Sequence, residues 1–116
     1  VKEVAYDPAF FERSAQVLLD RGVPMVNFPQ THSRMIPACG NAYDLIANTK
    51  VRHNGDPTFT DQVMSAAQRT TDMGWRLSKG RSKRKIDGAI AMVLMLDRIT
   101  APEPFDDEPE VAIINL

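Results

Sequence analysis

The stretch VKEVAYDPAFFERSAQVLLDRGVPMVNF, residues 1–28, decides the fold class. Residues 1–6 alternate in part and carry β-prone side chains, so they read as a strand ending at Asp7. Asp7-Pro8 reads as a helix start, because Asp accepts from free N–H groups and Pro suits the first turn. Phe10, Phe11, Ala15, Val17, Leu18 and Leu19 follow at helical spacing, and Gly22 stops that helix. Residues 23–28 read as a second strand, broken by Pro29. A strand, a helix and a strand in this order make a right-handed parallel crossover.

Working outward, a second helix is predicted over residues 35–48, with Tyr43, Leu45 and Ile46 inward. Residues 50–53 form a short strand, and the HNGD that follows is a turn. Asp56 caps and Pro57 opens a third helix, with Phe59, Val63, Met64 and Ala67 inward. Residues 69–78 read as strand or hairpin, turning near 72–74. Ser82 caps a last helix that runs to about Thr100. The order β-α-β-α-β-α-β-α predicts a layered α/β fold. Residues 1–100 form the folded part. Residues 101–116, opening with APEPFDDEPE, read as an acidic, Pro-rich tail.

At 116 residues the chain is one domain or a piece of one. It starts without Met and already in a strand-like pattern, as a fragment of something longer would. Cys39 stands alone, which excludes an internal disulfide and a cysteine zinc site and suits a reducing cytoplasm. The longest apolar run, Ile86 to Leu96, carries Asp87 and is too short to span a bilayer. The net charge of -1 conceals segregation along the chain. Arg76, Lys79, Arg81, Lys83, Arg84 and Lys85 cluster within ten positions, while the acids cluster near the end of the chain. One basic face can therefore still meet a polyanion.

Two acids stand out. Asp7 sits at the C-terminal end of a predicted strand, where open α/β sheets bind ligands, although its spacing before Pro8 reads first as a helix cap. Asp87 lies about one turn into a helix that is apolar on nearly every face. It reads either as a dipole-favoured Asp paired with a base or as a metal ligand facing a cleft. Gly88 beside it costs the helix about 1 kcal/mol relative to Ala, which a close backbone approach would explain. The basic run is either a solvated loop or a phosphate grip. Its place directly before Asp87 joins phosphate contact to a carboxylate that can hold a divalent ion, a pairing suited to phosphodiester chemistry. His53, before a turn, is an accessory candidate. Trp75 reads first as a core side chain. No phosphate-binding glycine loop, nucleophile elbow or dinucleotide fingerprint occurs.

The segments VAYDP, GVPMVNFPQ, TKVRHNGDPTF and WRLSKGRSKRKIDGAIAMVLMLDR, in this order over residues 1–98, resemble the C-terminal nuclease part of the large terminase subunit of tailed bacteriophages. The basic approach to KIDGAIAMVLML is the most specific piece. The resemblance implies a ribonuclease H-like mixed sheet flanked by helices. It implies an endonuclease that cuts concatemeric double-stranded DNA during packaging, with two Mg²⁺ or Mn²⁺ ions held by acids.

Carried over by motif, Asp7 is the acid ending the second catalytic strand and Asp87 the acid on the closing helix. Arg76, Lys79, Arg81, Lys83, Arg84 and Lys85 then grip DNA. The small terminase subunit and the portal are implied partners of the intact protein, in the cytoplasm of a bacterial host. The family's first acid lies upstream of the YDP segment. The resemblance therefore implies a domain lacking its N-terminal strands and one metal ligand, with an exposed sheet edge open to pairing between copies. The alternative is a non-catalytic DNA- or partner-binding fragment of a decayed prophage protein.

Overall fold

In a computed structural model the described residues are 1–80, 84–101 and 112–114. The crossover is present. Strand β1 (Val4–Tyr6) pairs in parallel with β2 (Met25–Asn27), Val4 opposite Met25 and Tyr6 opposite Asn27. Helix α1 (Glu12–Asp20) connects them. Gly22 ends α1 as predicted, at φ +86°. The Val23 N–H donates to Leu18 O (3.0 Å) and the Gly22 N–H to Leu19 O (2.9 Å). These two bonds satisfy carbonyls the helix end would otherwise leave free.

The start of α1 differs from the prediction. Asp7 Oδ1 accepts from the Ala9 N–H at 3.1 Å, closing a local turn instead of capping the helix. Phe11 is the N-cap and makes no side-chain cap. Phe10, at φ +64°, is fully exposed, and Phe11, Val17 and Leu19 are exposed too. Of the apolar series only Ala15 is buried, with Leu18 half-buried. The helix is therefore rotated so that its smallest apolar side chain faces inward, letting the backbone lie close to β2.

Helix α2 (His32–Ala47) begins earlier than predicted and keeps Pro37 inside it. Met35, Ala38, Cys39 and Ala42 form its buried stripe, while Tyr43 and Ile46, expected inward, are exposed. Cys39 Sγ accepts from the Leu77 N–H at 3.5 Å, and burial pushes the thiol above its ordinary range. Strand β3 (Val51–His53) pairs in parallel with β6 (Ala112–Ile114). The segment read as a tail thus carries a strand beyond residues 102–111, which lie outside the described residues.

Helix α3 (Pro57–Ser65) starts as expected: Asp56 Oδ1 accepts from the Phe59 N–H at 2.8 Å and Pro57 opens the first turn. Met64 is exposed, against expectation, and Ala67 belongs to the next strand. Strands β4 (Ala67–Thr71) and β5 (Gly74–Ser78) form the predicted hairpin, antiparallel. Gly74, at φ +137°, also permits a close approach, since a Cβ there would lie 2.9 Å from Ile36 Cγ2. Trp75 packs on the core and meets Tyr43 edge-on at 6.1 Å, the structural role expected of it.

Helix α4 (Asp87–Thr100) has Ile86 as N-cap, so Asp87 is its first residue and not one turn in. Ser82, the predicted cap, lies outside the described residues. Among the described residues four helices and both parallel and antiparallel strand pairs make the fold mixed α/β, as predicted. Among the described residues the strands pair two by two. The core gathers where α2, α4, Phe28 and Phe59 meet, with Met35, Val93 and Leu96 buried at its centre.

Candidate active site

Asp7 follows β1 directly and is half-buried. One of its oxygens is used by the Ala9 N–H. The turn beyond it is fastened to the strand, since Tyr6 Oη donates to Glu12 Oε2 at 3.1 Å and the Tyr6 ring meets Phe11 at 6.1 Å. Partial burial, with the Glu12 charge beside it, holds the Tyr6 hydroxyl above the ordinary phenol range and keeps it a donor.

Asp87 is exposed at the first position of α4, a helix whose Ala89, Met92, Val93, Leu94 and Leu96 are buried. Among the described residues no base reaches it. The nearby base Arg84 instead pairs with Asp61 on α3, Nη1 to Oδ1 at 2.7 Å. The expected reason for Gly88 is present. A Cβ there would lie 2.8 Å from Gln62 Oε1 and 3.3 Å from Phe59 Cδ2, and the Gly88 N–H donates to that same Gln62 oxygen. Phe59 also meets the His53 ring at 5.8 Å, so Phe59 stands between His53 and the start of α4. His53 Nδ1 accepts from the Gly55 N–H at 3.1 Å, which places its ring proton on Nε2.

The predicted DNA contacts divide. Arg76 is half-buried on β5; Nη1 donates to Gln30 O at 3.0 Å and to His32 Nδ1 at 3.3 Å, tying the strand to the entrance of α2. Lys79 and Lys85 are exposed. Arg81 and Lys83 lie outside the described residues.

The far end of α4 is anchored by a pair that sequence reasoning missed. Arg98 Nε donates to Glu3 Oε1 at 2.6 Å and Nη2 to Oε2 at 3.1 Å. The Arg98 hydrogen bonds hold the Glu3 carboxyl below the usual carboxylate value of 4.5. No local signal could have found this pair, because its members stand 95 positions apart. Its pH behaviour follows from that direction. The native state binds the Glu3 proton less readily than the unfolded chain does. The stabilisation is therefore present above about pH 4.5 and is lost as pH falls through the lower native value. Glu3→Gln is expected to cost about 0.5–1 kcal/mol at neutral pH, the scale of a well-made surface ion pair. Urea unfolding at pH 7 and pH 3 checks this, and the gap to wild type should close at the lower pH.

Two carboxylates are hard oxygen donors and suit Mg²⁺ or Mn²⁺ in kind. Asp7 retains an oxygen beyond the one its turn uses, and Asp87 is open. In number they are incomplete: among the described residues no three His, Cys, Asp or Glu side chains gather as a metal-binding group. No described helix is long and apolar enough to cross a membrane.

Comparison with known proteins gives a consistent answer. No curated protein matches the chain. Among solved structures it is similar to the large terminase of bacteriophage HK97, with a TM-score of 0.71 and 27% identity. That match covers 81% of this chain and 20% of the HK97 chain. The family model "Terminase large subunit, endonuclease domain" matches residues 1–103, nearly the whole described fold. The chain therefore belongs to the terminase large subunit endonuclease domain family.

Proposed function

We propose that this chain forms part of a metal-dependent endonuclease that cuts concatemeric double-stranded DNA during phage genome packaging, with Asp7 and Asp87 as metal-holding carboxylates. The observation that supports this reading is the tie between α4 and β1. α4 packs against β1, and its last turn is tied by Arg98 to Glu3 at the start of that strand. From Arg98 back to Asp87 the helix rises about 16 Å. From Glu3 forward to Asp7 the strand advances about 13 Å. We read α4 as running opposite to that strand, which would bring both acids toward one end of the layer.

Mg²⁺ or Mn²⁺, when bound there, supplies an activated water and stabilises the leaving oxygen. The chain's own part is to hold and orient. Asp7 is set by its turn, and Asp87 projects from a helix held by its buried Ala89, Met92, Val93, Leu94 and Leu96. Lys79 and Lys85, with Arg81, Lys83 and Arg84, supply backbone contacts that carry no sequence information. Arg76 fastens β5, the strand that precedes these bases, to the entrance of α2. In the whole protein the small terminase subunit and the portal are the proposed partners, in the host cytoplasm.

A second reading, a DNA- or partner-binding unit without catalysis of its own, draws on the finding that among the described residues no three His, Cys, Asp or Glu side chains gather to hold a metal.

The test is nicking of supercoiled plasmid by the full-length protein with Mg²⁺, with Mn²⁺ and with chelator. Nicking that requires either ion supports the reading; failure with both ions overturns it. Replacing Lys79 and Lys85 by alanine is expected to weaken plasmid binding and to reduce the salt slope by about 2, near one unit per lost phosphate contact. An unchanged slope would remove these lysines from the DNA surface.

A further inference from the structure

We infer that Gln62 is a positioning residue for Asp87: its side-chain amide reaches from α3 to the first turn of α4 and aims the carboxylate. The inference rests on the reading of Asp87 as a metal ligand.

A helix start leaves N–H groups without partners, and a polar N-cap side chain ordinarily takes one of them. Here the N-cap is Ile86, which makes no side-chain cap and is only 4% exposed because its side chain is committed to the core. The task passes to another helix. The Gly88 N–H donates to Gln62 Oε1, and since an N–H can only donate, the orientation of the Gln62 amide is defined. The approach is close, a Cβ at position 88 falling 2.8 Å from that oxygen, so a larger residue there would push the Gln62 amide aside. One residue earlier on α3, Asp61 holds Arg84 at 2.7 Å. Consecutive residues of α3 thus grip the chain on both sides of Ile86 and Asp87. The Asp87 side chain makes no hydrogen bond among the described residues, so the backbone position is what directs its oxygens. A ligand whose support is loosened typically loses metal affinity 10- to 100-fold.

The experiment measures Mn²⁺ binding by the full-length protein without DNA, counting free ion by its electron paramagnetic resonance signal, alongside thermal unfolding. Gln62→Met keeps the side chain's size and removes the acceptor. It is expected to weaken Mn²⁺ binding roughly tenfold. Gln62→Glu retains the acceptor and should not weaken it. Gly88→Ala, which displaces the amide without removing it, should act like Gln62→Met. Added to Asp87→Ala, Gln62→Met should cause no further loss, as expected of two residues acting through one another. A lowered unfolding temperature with wild-type Mn²⁺ affinity in Gln62→Met and Gly88→Ala would overturn the inference, leaving Gln62 a purely structural contact. Wild-type Mn²⁺ affinity in Asp87→Ala would overturn the underlying reading instead, so the two failures are distinct.

Discussion

Asp87→Ala is expected to lower metal-dependent plasmid nicking by on the order of 10³-fold or more, since a ligand's share of metal-borne charge stabilisation is several kcal/mol and each 1.36 kcal/mol is tenfold in rate. The same loss is expected for Asp7→Ala. On the proposed reading the two acids are ligands of one centre and fail as a unit, so the double variant should be little worse than either alone. Stability should barely move. Asp87 is exposed and gains from the helix N-terminus about 0.3–1 kcal/mol. Unfolding and nicking therefore separate two accounts of this acid. A carboxylate kept for the helix dipole would, when removed, lower stability slightly and leave nicking intact. A carboxylate kept for a metal would do the reverse. Nicking that survives Asp87→Ala would end the metal assignment.

Phe28→Ala is expected to cost about 3–5 kcal/mol, the range for emptying an aromatic site in a core. Phe28 is 0% exposed and stands just past β2, where its N–H extends the ladder to Tyr6 O at 2.7 Å. Arg34 lies over its ring, 4.2 Å from the centroid, and also approaches Asp97 at 3.7 Å. Loss of the ring would thus open a cavity and release a contact joining α2 to α4. Against a usual total of about 5–15 kcal/mol, this is enough to unfold much of the population at 37 °C. Phe10→Ala serves as the contrast. Phe10 is fully exposed, so the change should stay within about 0.5 kcal/mol. Urea denaturation midpoints of the two variants check both. Similar losses from both would show that the exposure of Phe10 does not describe the protein in solution.

Much of the fold was legible in short stretches. The Asp56 cap with Pro57, the Gly22 stop and the β4–β5 hairpin each depend on residues within a few positions of one another. Their chemistry acts before any tertiary contact forms. Helix faces were less legible. Phe10, Phe11, Val17, Leu19, Tyr43, Ile46 and Met64 all suited an inward stripe by spacing, yet each is exposed. Spacing says that apolar residues share a face. It does not say which of two overlapping faces meets the strands, and close approach selected Ala15, Ala38 and Ala42 instead.

The candidate site divides in the same way. Asp7 and Asp87 were visible as acids at the edges of apolar elements, and the need for Gly88 was visible as a helix weakened without local cause. Their supports were not. Gln62 reaches Gly88 across 26 positions and Glu3 reaches Arg98 across 95. The sequence by itself determined the order of elements, the local starts and stops, and the two acids. Only the tertiary structure decided which faces are buried and which side chains hold α4 in place, because a hydrogen bond between distant segments depends on their packed geometry and leaves no mark in either segment alone.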